Sequence, residues 1–536
     1  MLSSCYKEIT GPAGAKERQN DMAKFNTVGT TTKRVYATSP IGTTDVRTVT
    51  GEGASAHEYD DKSALFLLGV SNFVQEDSFY ESGESRDRRF RELAQRVAVS
   101  DVDWFARFVK WLRNDANMRS ASLVAAVDGA VALAKAGIPG GRQIVSSVLV
   151  RADEPGEALA YVRATYGRIP KPVKRGIADA AQRLYTERNM LKYDSARKGY
   201  SFGDVIELTH PTPTSGFPQG VLFKYAIDKK HSDVEIPEEL TMLRGKSVIT
   251  FEGALANPDL LKQAGLTWEA MSSLSPEGMS ARVWESMIPQ MGYMALLRNL
   301  RGMRQAGVSK QVLRGVYDRL SDPEQVARSR QLPMRFLSAY KANSGDLEAQ
   351  VASERALDHS LANIPSLDGN TLILVDRSGS MFGRISKGSD LDWADSAALF
   401  GSALAVRAEK ATLVQYGTRS SEVSFRKGDS ILPLVGKFDN LGGTYLGEAL
   451  TRHYNASYDR VIIITDEQDS PYYRYGFTVQ LNQVSINVPT YVFSLTGNKS
   501  SSDTVKNRVV IGGGLTDASF SMIENLENAK NGSWPF

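Results

Sequence analysis

The sequence predicts two architectures in one chain: an all-helical, repeat-like body (an α-solenoid or bundle), then a doubly wound parallel α/β domain. Three observations carry this. From Lys62 onward apolar residues recur at three- and four-residue spacing in one segment after another. Near Ile364-Pro365 that period gives way to short continuous apolar runs alternating with helical stretches. Two of those runs end in Asp-led polar motifs with a Gly-Gly-Thr loop between them, at the strand ends where open parallel sheets bind ligands.

Residues 1–58 are rich in Thr, Gly and Ser and poor in periodic apolar positions. They are expected to form a flexible lead-in or arm, with short strands near Phe25, Val28, Val35 and Tyr36. No apolar core marks the start as a secretory signal, because Lys7, Glu8, Lys16, Glu17 and Arg18 interrupt it. Met22-Ala23-Lys24 reads as a second start, and residues before it are expected to be disordered or untranslated.

The helical body is placed at 59–358. Leu65, Leu68, Gly69 and Phe73 open it, followed by Phe90, Leu93, Ala94 and Val97, then Trp104, Phe105, Phe108, Val109 and Leu112. Ala121 to Ala136 is Ala-rich and helical by propensity. Further amphipathic segments are expected near 155–164, 171–185, 205–208, 260–264, 282–291 and 294–303. Gly137-Ile138-Pro139-Gly140-Gly141, Asp153-Glu154-Pro155-Gly156 and His210-Pro211-Thr212-Pro213 read as breakers. Trp104, Trp111 and Trp284 sit at helical spacing and read as core. No strict residue-level repeat is visible, so any repeats are degenerate.

The second domain is placed at 366–536, with the boundary near 350–368. Strands are expected at Thr371–Val375, Thr412–Tyr416, Arg460–Ile464 and Thr490–Ser494, with helices through Trp393, Ala397, Phe400 and Leu404 and over 446–454. The first strand runs into Asp376-Arg377-Ser378-Gly379-Ser380 and the third into Thr465-Asp466-Glu467, while Gly442-Gly443-Thr444 precedes a helix. Two carboxylates and three hydroxyls thus converge as hard oxygen donors without His or Cys, favouring Mg²⁺, Mn²⁺ or Ca²⁺ over zinc. No Gly-x-x-x-x-Gly-Lys-Ser/Thr follows the strand, which excludes a P-loop. Taken alone, each motif is an ordinary turn or helix cap; it is their order on successive strands that points to a metal.

The set Asp376, Ser378, Ser380, Thr444 and Asp466 resembles the metal-ion-dependent adhesion site of von Willebrand A and integrin I domains. That resemblance implies Ser378, Ser380 and Thr444 as direct ligands, one or both aspartates acting through water, and Mg²⁺ as the first choice of cation.

In the helical body, Val283-Trp284-Glu285 through Met294-Ala295-Leu296-Leu297-Arg298-Asn299-Leu300 and Met303 resembles the TROVE module of the Ro ribonucleoprotein family. Tyr200-Ser201-Phe202-Gly203-Asp204-Val205-Ile206-Glu207-Leu208-Thr209-His210-Pro211 and Lys174-Arg175-Gly176-Ile177-Ala178-Asp179 look like two further family segments, in family order. The resemblance, to the bacterial type of Ro protein, covers roughly 60–536 and is weak before Leu159 and over 212–280. It implies a ring of HEAT-like helical pairs closed by the A-like domain. It also implies binding of small noncoding Y-like RNAs on the outer surface and of the ends of defective RNAs in a central hole. In bacterial members a Y-like RNA tethers an exoribonuclease such as polynucleotide phosphorylase.

Charge alone does not announce RNA: the net charge is +3, with only a slight basic excess before Pro365. Local clustering does. Lys171, Lys174 and Arg175, with Arg168 just ahead and Lys192, Arg197 and Lys198 behind, form a basic patch suited to phosphates, and His210 stands at a helix end. A solvated charged face is the plain alternative for any one of them, and a dipole contact for His210. Arg298, Arg301 and Arg304 share one helix face and either line the hole or brace neighbouring helices.

The expectation is therefore an RNA-binding ribonucleoprotein scaffold in RNA quality control, monomeric and without enzymatic activity, since five His and one Cys leave little for nucleophilic or zinc chemistry. The competing class is a metal-dependent protein-interaction adaptor clasping an acidic partner through the A-like domain. The lone Cys5 fits a cytoplasmic compartment, and no run of about 18 apolar residues calls for a membrane.

Overall fold

The structure is a computed structural model. It describes residues 40–51, 53–71, 82–194, 199–214, 218–257, 259–263, 267–329, 331, 333–385, 391–470, 472–474, 477–479, 486–497, 500–502, 508–512, 520, 523 and 534–536. Cys5, Met22, Phe25, Val28, Val35, Tyr36, Arg197 and Lys198 lie outside them. Contacts divide the chain into Met1–Tyr36, also outside, and Ala37–Phe536, which holds everything below.

Helix follows helix from Asp61–Ser71 to Leu347–Ser360, and local chemistry sets the boundaries. Asp101 caps Val102–Asn114 by accepting from the Trp104 N–H (3.0 Å). Ser201 and Asp204 form a reciprocal capping box on Phe202–Thr209. The Ala-rich helix Arg119–Ala136 is buried on nearly every side and stops at left-handed Gly137. Trp104, Trp111 and Trp284 are core residues, all under 9% exposed.

The Asp153–Gly156 segment is a helix start and not a break. Pro155 occupies the first turn of Glu154–Tyr166, where its missing N–H costs nothing. Pro289 shortens the segment expected over 282–291: an α-helix covers Ala281–Met287 and a 3₁₀ turn covers Ile288–Gln290. The stretch after His210 holds short helices, including Gln219–His231 and Thr241–Ser247.

The degenerate repeat shows itself in long-range bonds. Arg91–Asp128, Arg142–Asp179 and Gln219–Gln182 pair residues 37 apart, Lys229–Asp194 residues 35 apart and Arg304–Asn343 residues 39 apart. Each side chain reaches its counterpart one helical pair along the stack, the signature of a solenoid whose unit is about 37 residues by these separations.

Strands follow, except for two that precede the helices. β1 (Thr43–Val49) and β2 (Ser55–Tyr59) form an antiparallel hairpin. The lead-in expected to run to residue 58 therefore ends earlier. The A-like domain contributes β3 (Leu367–Asp376), β4 (Ala408–Tyr416), β5 (Ser420–Glu422), β6 (Arg460–Thr465), β7 (Tyr472–Arg474), β8 (Phe477–Val479), β9 (Thr490–Ser494), β10 (Ser500–Ser502) and β11 (Arg508–Gly512). The main sheet runs β11-β9-β6-β3-β4-β5, parallel except for the edge pair β4–β5. The chain moves from β3 to β4 on one side and returns to β6 on the other, so the topological switch lies between β3 and β6.

Both ends of the helical series rest on this domain. At the start, β2 pairs with β10, and Arg86 and Arg89 donate to the carbonyls of Thr496 (2.6 Å) and Gly497 (3.1 Å). Trp534 and Phe536 pack among Phe66, Trp104 and Phe108. At the far end, Lys341 bonds Asp395, Ser430 bonds Glu354 (2.7 Å), and the Ile431 N–H donates to Asp358 (3.2 Å). The series of contacts is thus a closed circuit. Among the described residues no helix is long and apolar enough to cross a membrane.

Candidate functional site

Parallel register sets the first two donors side by side. Val375 of β3 pairs with Ile464 of β6, so Asp376 ends one strand opposite Thr465 and Asp466 follows directly. Ser378 forms a bridge with Gly442, and the Gly379 N–H donates to the Gly442 carbonyl (2.6 Å). Gly442 has φ +75°, a left-handed conformation that glycine adopts without strain. Thr444 is tied to the third loop, its carbonyl accepting from the Ser470 N–H (2.8 Å). The three loops are therefore knitted together by backbone, and Asp376, Ser378, Ser380, Thr444 and Asp466 are all buried.

Ser378 and Ser380 hydroxyls lie 3.2 Å apart. Asp376 accepts from the Ser378 N–H (2.9 Å), the Thr465 hydroxyl (2.6 Å) and the Tyr416 phenol (3.3 Å). Burial pushes its carboxyl above the usual carboxylate range against those hydrogen bonds. Among the described residues no group of three or more His, Cys, Asp or Glu side chains is placed to hold a metal. A cation here would rest on hydroxyl oxygens as well as carboxylates. The donor set fits a hard divalent ion: Ser378, Ser380 and Thr444 would hold it, with Asp376, already committed to three donors, acting through water.

Sequence reasoning passed over the residues that fix this arrangement. Thr465 and Tyr416 orient Asp376. Arg377, the variable residue of its motif, is buried; its guanidinium donates to the carbonyls of Asp439 (2.8 Å) and Ala394 (2.7 Å) and lies over the Phe382 ring. Glu467 has φ +59° and accepts from the Tyr59 hydroxyl, while the Thr50 hydroxyl donates to the Asp469 carbonyl (3.1 Å). The hairpin thus braces the third loop. Nothing in residues 50–59 announces a partner 400 positions away.

The basic patch opens the helix Lys171–Leu184, whose Pro170 cap supplies no side-chain hydrogen bond. Lys171 and Arg175 are exposed and Lys174 is half-buried. Their charged groups have no ion-pair or hydrogen-bond partner among the described residues. Three like charges at i, i+3 and i+4 share one face, and they crowd the positive end of the helix dipole. Each of these costs stability, and no internal carboxylate offsets it: Asp179, the nearest acid on the helix, is paired with Arg142 (2.6 Å). His210 ends Phe202–Thr209 in the left-handed conformation with its ring exposed, and that helix packs against Lys171–Leu184. Arg304 is a brace, bonded to Asp346 (2.6 Å) and Asn343 (3.0 Å), while Arg298 and Arg301 are exposed.

Residues 257–398 match the TROVE domain family. Telomerase protein component 1 from Mus musculus and from Rattus norvegicus are each 40% identical over 90 residues, 16% of this chain. The match spans only 3% of those proteins' own length. Among solved structures, the Deinococcus radiodurans RO (RSR) protein superposes with a TM-score of 0.60 at 19% identity, covering 87% of this chain and all of that one.

Proposed function

We propose that the chain, which matches the TROVE domain family over residues 257–398 and shares the fold of a Ro protein, is an RNA-binding ribonucleoprotein scaffold of the Ro type. It takes structured noncoding RNA on the face of Lys171, Lys174, Arg175 and His210, acts in RNA quality control, and holds a divalent cation, Mg²⁺ first, in its A-like domain. Y-like RNA is the structured ligand of this reading, and a tethered exoribonuclease such as polynucleotide phosphorylase its protein partner.

The observation that carries the reading is the cost of the basic helix start. Unpaired cations at a helix N-terminus work against folding and are retained where an anion will meet them. Phosphates along a duplex present that anion at matching density, and each one neutralised releases counterions.

A salt series of filter binding or fluorescence anisotropy, with a hairpin RNA and a single strand, tests it. Lys174→Ala with Arg175→Ala removes two phosphate contacts. The log–log salt slope for the hairpin should become shallower by about two, with affinity at least about tenfold lower. The single strand should be affected less, and His210→Ala should weaken the hairpin with a smaller change of slope. Wild-type binding of both RNAs at every salt concentration would return this patch to an ordinary solvated face.

A further inference from the structure

A cavity of about 700 Å³ lies apart from both sites, between the ends of the helices Tyr293–Gln305 and Pro333–Ala342 and the start of Lys310–Ser321. Arg301, Arg304, Lys310 and Lys341 line it, with Asp346 as the single acidic residue of the lining. Cations in the last turns of Tyr293–Gln305 and Pro333–Ala342 complement those helix dipoles, which accounts for Arg304 and Lys341 without any ligand. It does not account for Lys310, which stands at the first position of its helix, where the dipole disfavours a cation.

The charges divide into two committed and two free. Arg304 is paired with Asp346, and Lys341 with Asp395 of the A-like domain. Asp346 is itself spent, since its other oxygen caps the helix Leu347–Ser360 by accepting from the Ala349 N–H (2.9 Å). Arg301 and Lys310 are exposed and have no partner among the described residues. Arg304 is also held in place: Nη1 donates to Asn343, a buried residue fixed in turn by its own bond to the Ala339 carbonyl (2.7 Å). Val308 and Leu313, both buried, supply apolar surface beside the charges.

We propose that this cavity binds a terminal phosphate, a phosphomonoester or its polyphosphate, carried by a free nucleotide or by the end of an RNA chain. The net excess of two cations matches the charge of about −2 on such a group at neutral pH, and an oriented guanidinium recognises its oxygens. The cavity is of the size that holds a nucleotide, and its apolar residues suit the face of a base or sugar. An internal phosphodiester carries only one negative charge and would be held less well. The inference does not depend on the basic helix start being an RNA site.

Calorimetry on the full chain uses inorganic pyrophosphate, ATP, and one short oligoribonucleotide with either a 5′-phosphate or a 5′-hydroxyl. Pyrophosphate should bind, and Arg301→Ala with Lys310→Ala should weaken it at least about tenfold, the loss expected from one or two charge-assisted contacts. Because neither side chain supports the fold, the double variant should keep the wild-type melting temperature. ATP binding with no preference between the two oligonucleotides identifies a free nucleotide as the source; a preference for the 5′-phosphate identifies an RNA end. Failure of every phosphate-terminated probe to bind, or equal binding by the double variant, overturns the proposal.

Discussion

At the scale of single residues, burial and pairing decide which side chains matter. Asp128 is fully buried and accepts from Arg91 (2.9 Å), Tyr161 (2.9 Å) and Tyr166, tying three helices together. Asp128→Asn would turn an acceptor into a partial donor facing three donors. It should cost about 2–4 kcal/mol, read as a lower denaturation midpoint, because buried donors would lose their acceptor. A midpoint within experimental error of wild type would show the network to be slack. Asp376 invites a different measurement. Asp376→Ala should abolish the heat of Mg²⁺ or Mn²⁺ binding and remove any cation-dependent rise in melting temperature, since a ligand stabilises only the state it binds. RNA affinity should survive. An unchanged Mg²⁺ titration would refute the metal assignment.

At the scale of elements, close helix packing rests on small residues. A Cβ on Gly203 would sit 2.3 Å from the Ala226 carbonyl oxygen, a backbone atom that cannot rotate away. Gly203→Ala should therefore destabilise the chain by about 1–3 kcal/mol by forcing Phe202–Thr209 off its neighbour. Gly315 is the control: it is exposed, within Lys310–Ser321, and nothing lies within 4 Å of its would-be Cβ. Gly315→Ala should stabilise by about 0.5–1 kcal/mol through reduced backbone entropy of the unfolded chain. Equal effects from the two substitutions would contradict this packing.

Across the whole molecule, the β1–β2 hairpin joins the beginning of the helical series to the third loop of the candidate metal site. Tyr59 reaches Glu467, the residue after Asp466, and Gly51 donates to Gln468 (2.5 Å). Tyr59→Phe keeps the ring and removes only the hydroxyl, leaving a buried carboxylate short of a donor. A loss of about 1–3 kcal/mol is expected. Weaker Mg²⁺ binding should accompany it, because the loop carrying Asp466 loses its brace. Loss of stability with unchanged Mg²⁺ affinity would separate the hairpin from the metal loop.

The sequence by itself determined the helical body and the parallel sheet that follows it, because periodicity is a local property of burial. It also placed Asp376 and Asp466 on adjacent strand ends, since continuous apolar runs ending in a carboxylate leave few alternatives in a doubly wound sheet. Tertiary structure alone decided the rest. The hairpin at 43–59 reads as a lead-in from sequence because β1 is mostly exposed and β2 buries only Ala56 and Tyr59, so neither strand carries an apolar run. The 37-residue repeat escaped notice because it is written in pairs such as Arg142–Asp179, whose residue types change from one unit to the next. The cavity beside Arg301 and Lys310 is not legible in the sequence either: whether neighbouring arginines brace a fold or wait for a ligand depends on which acids the packing brings within reach, and among the described residues Arg304 meets Asp346 while Arg298 and Arg301 meet none.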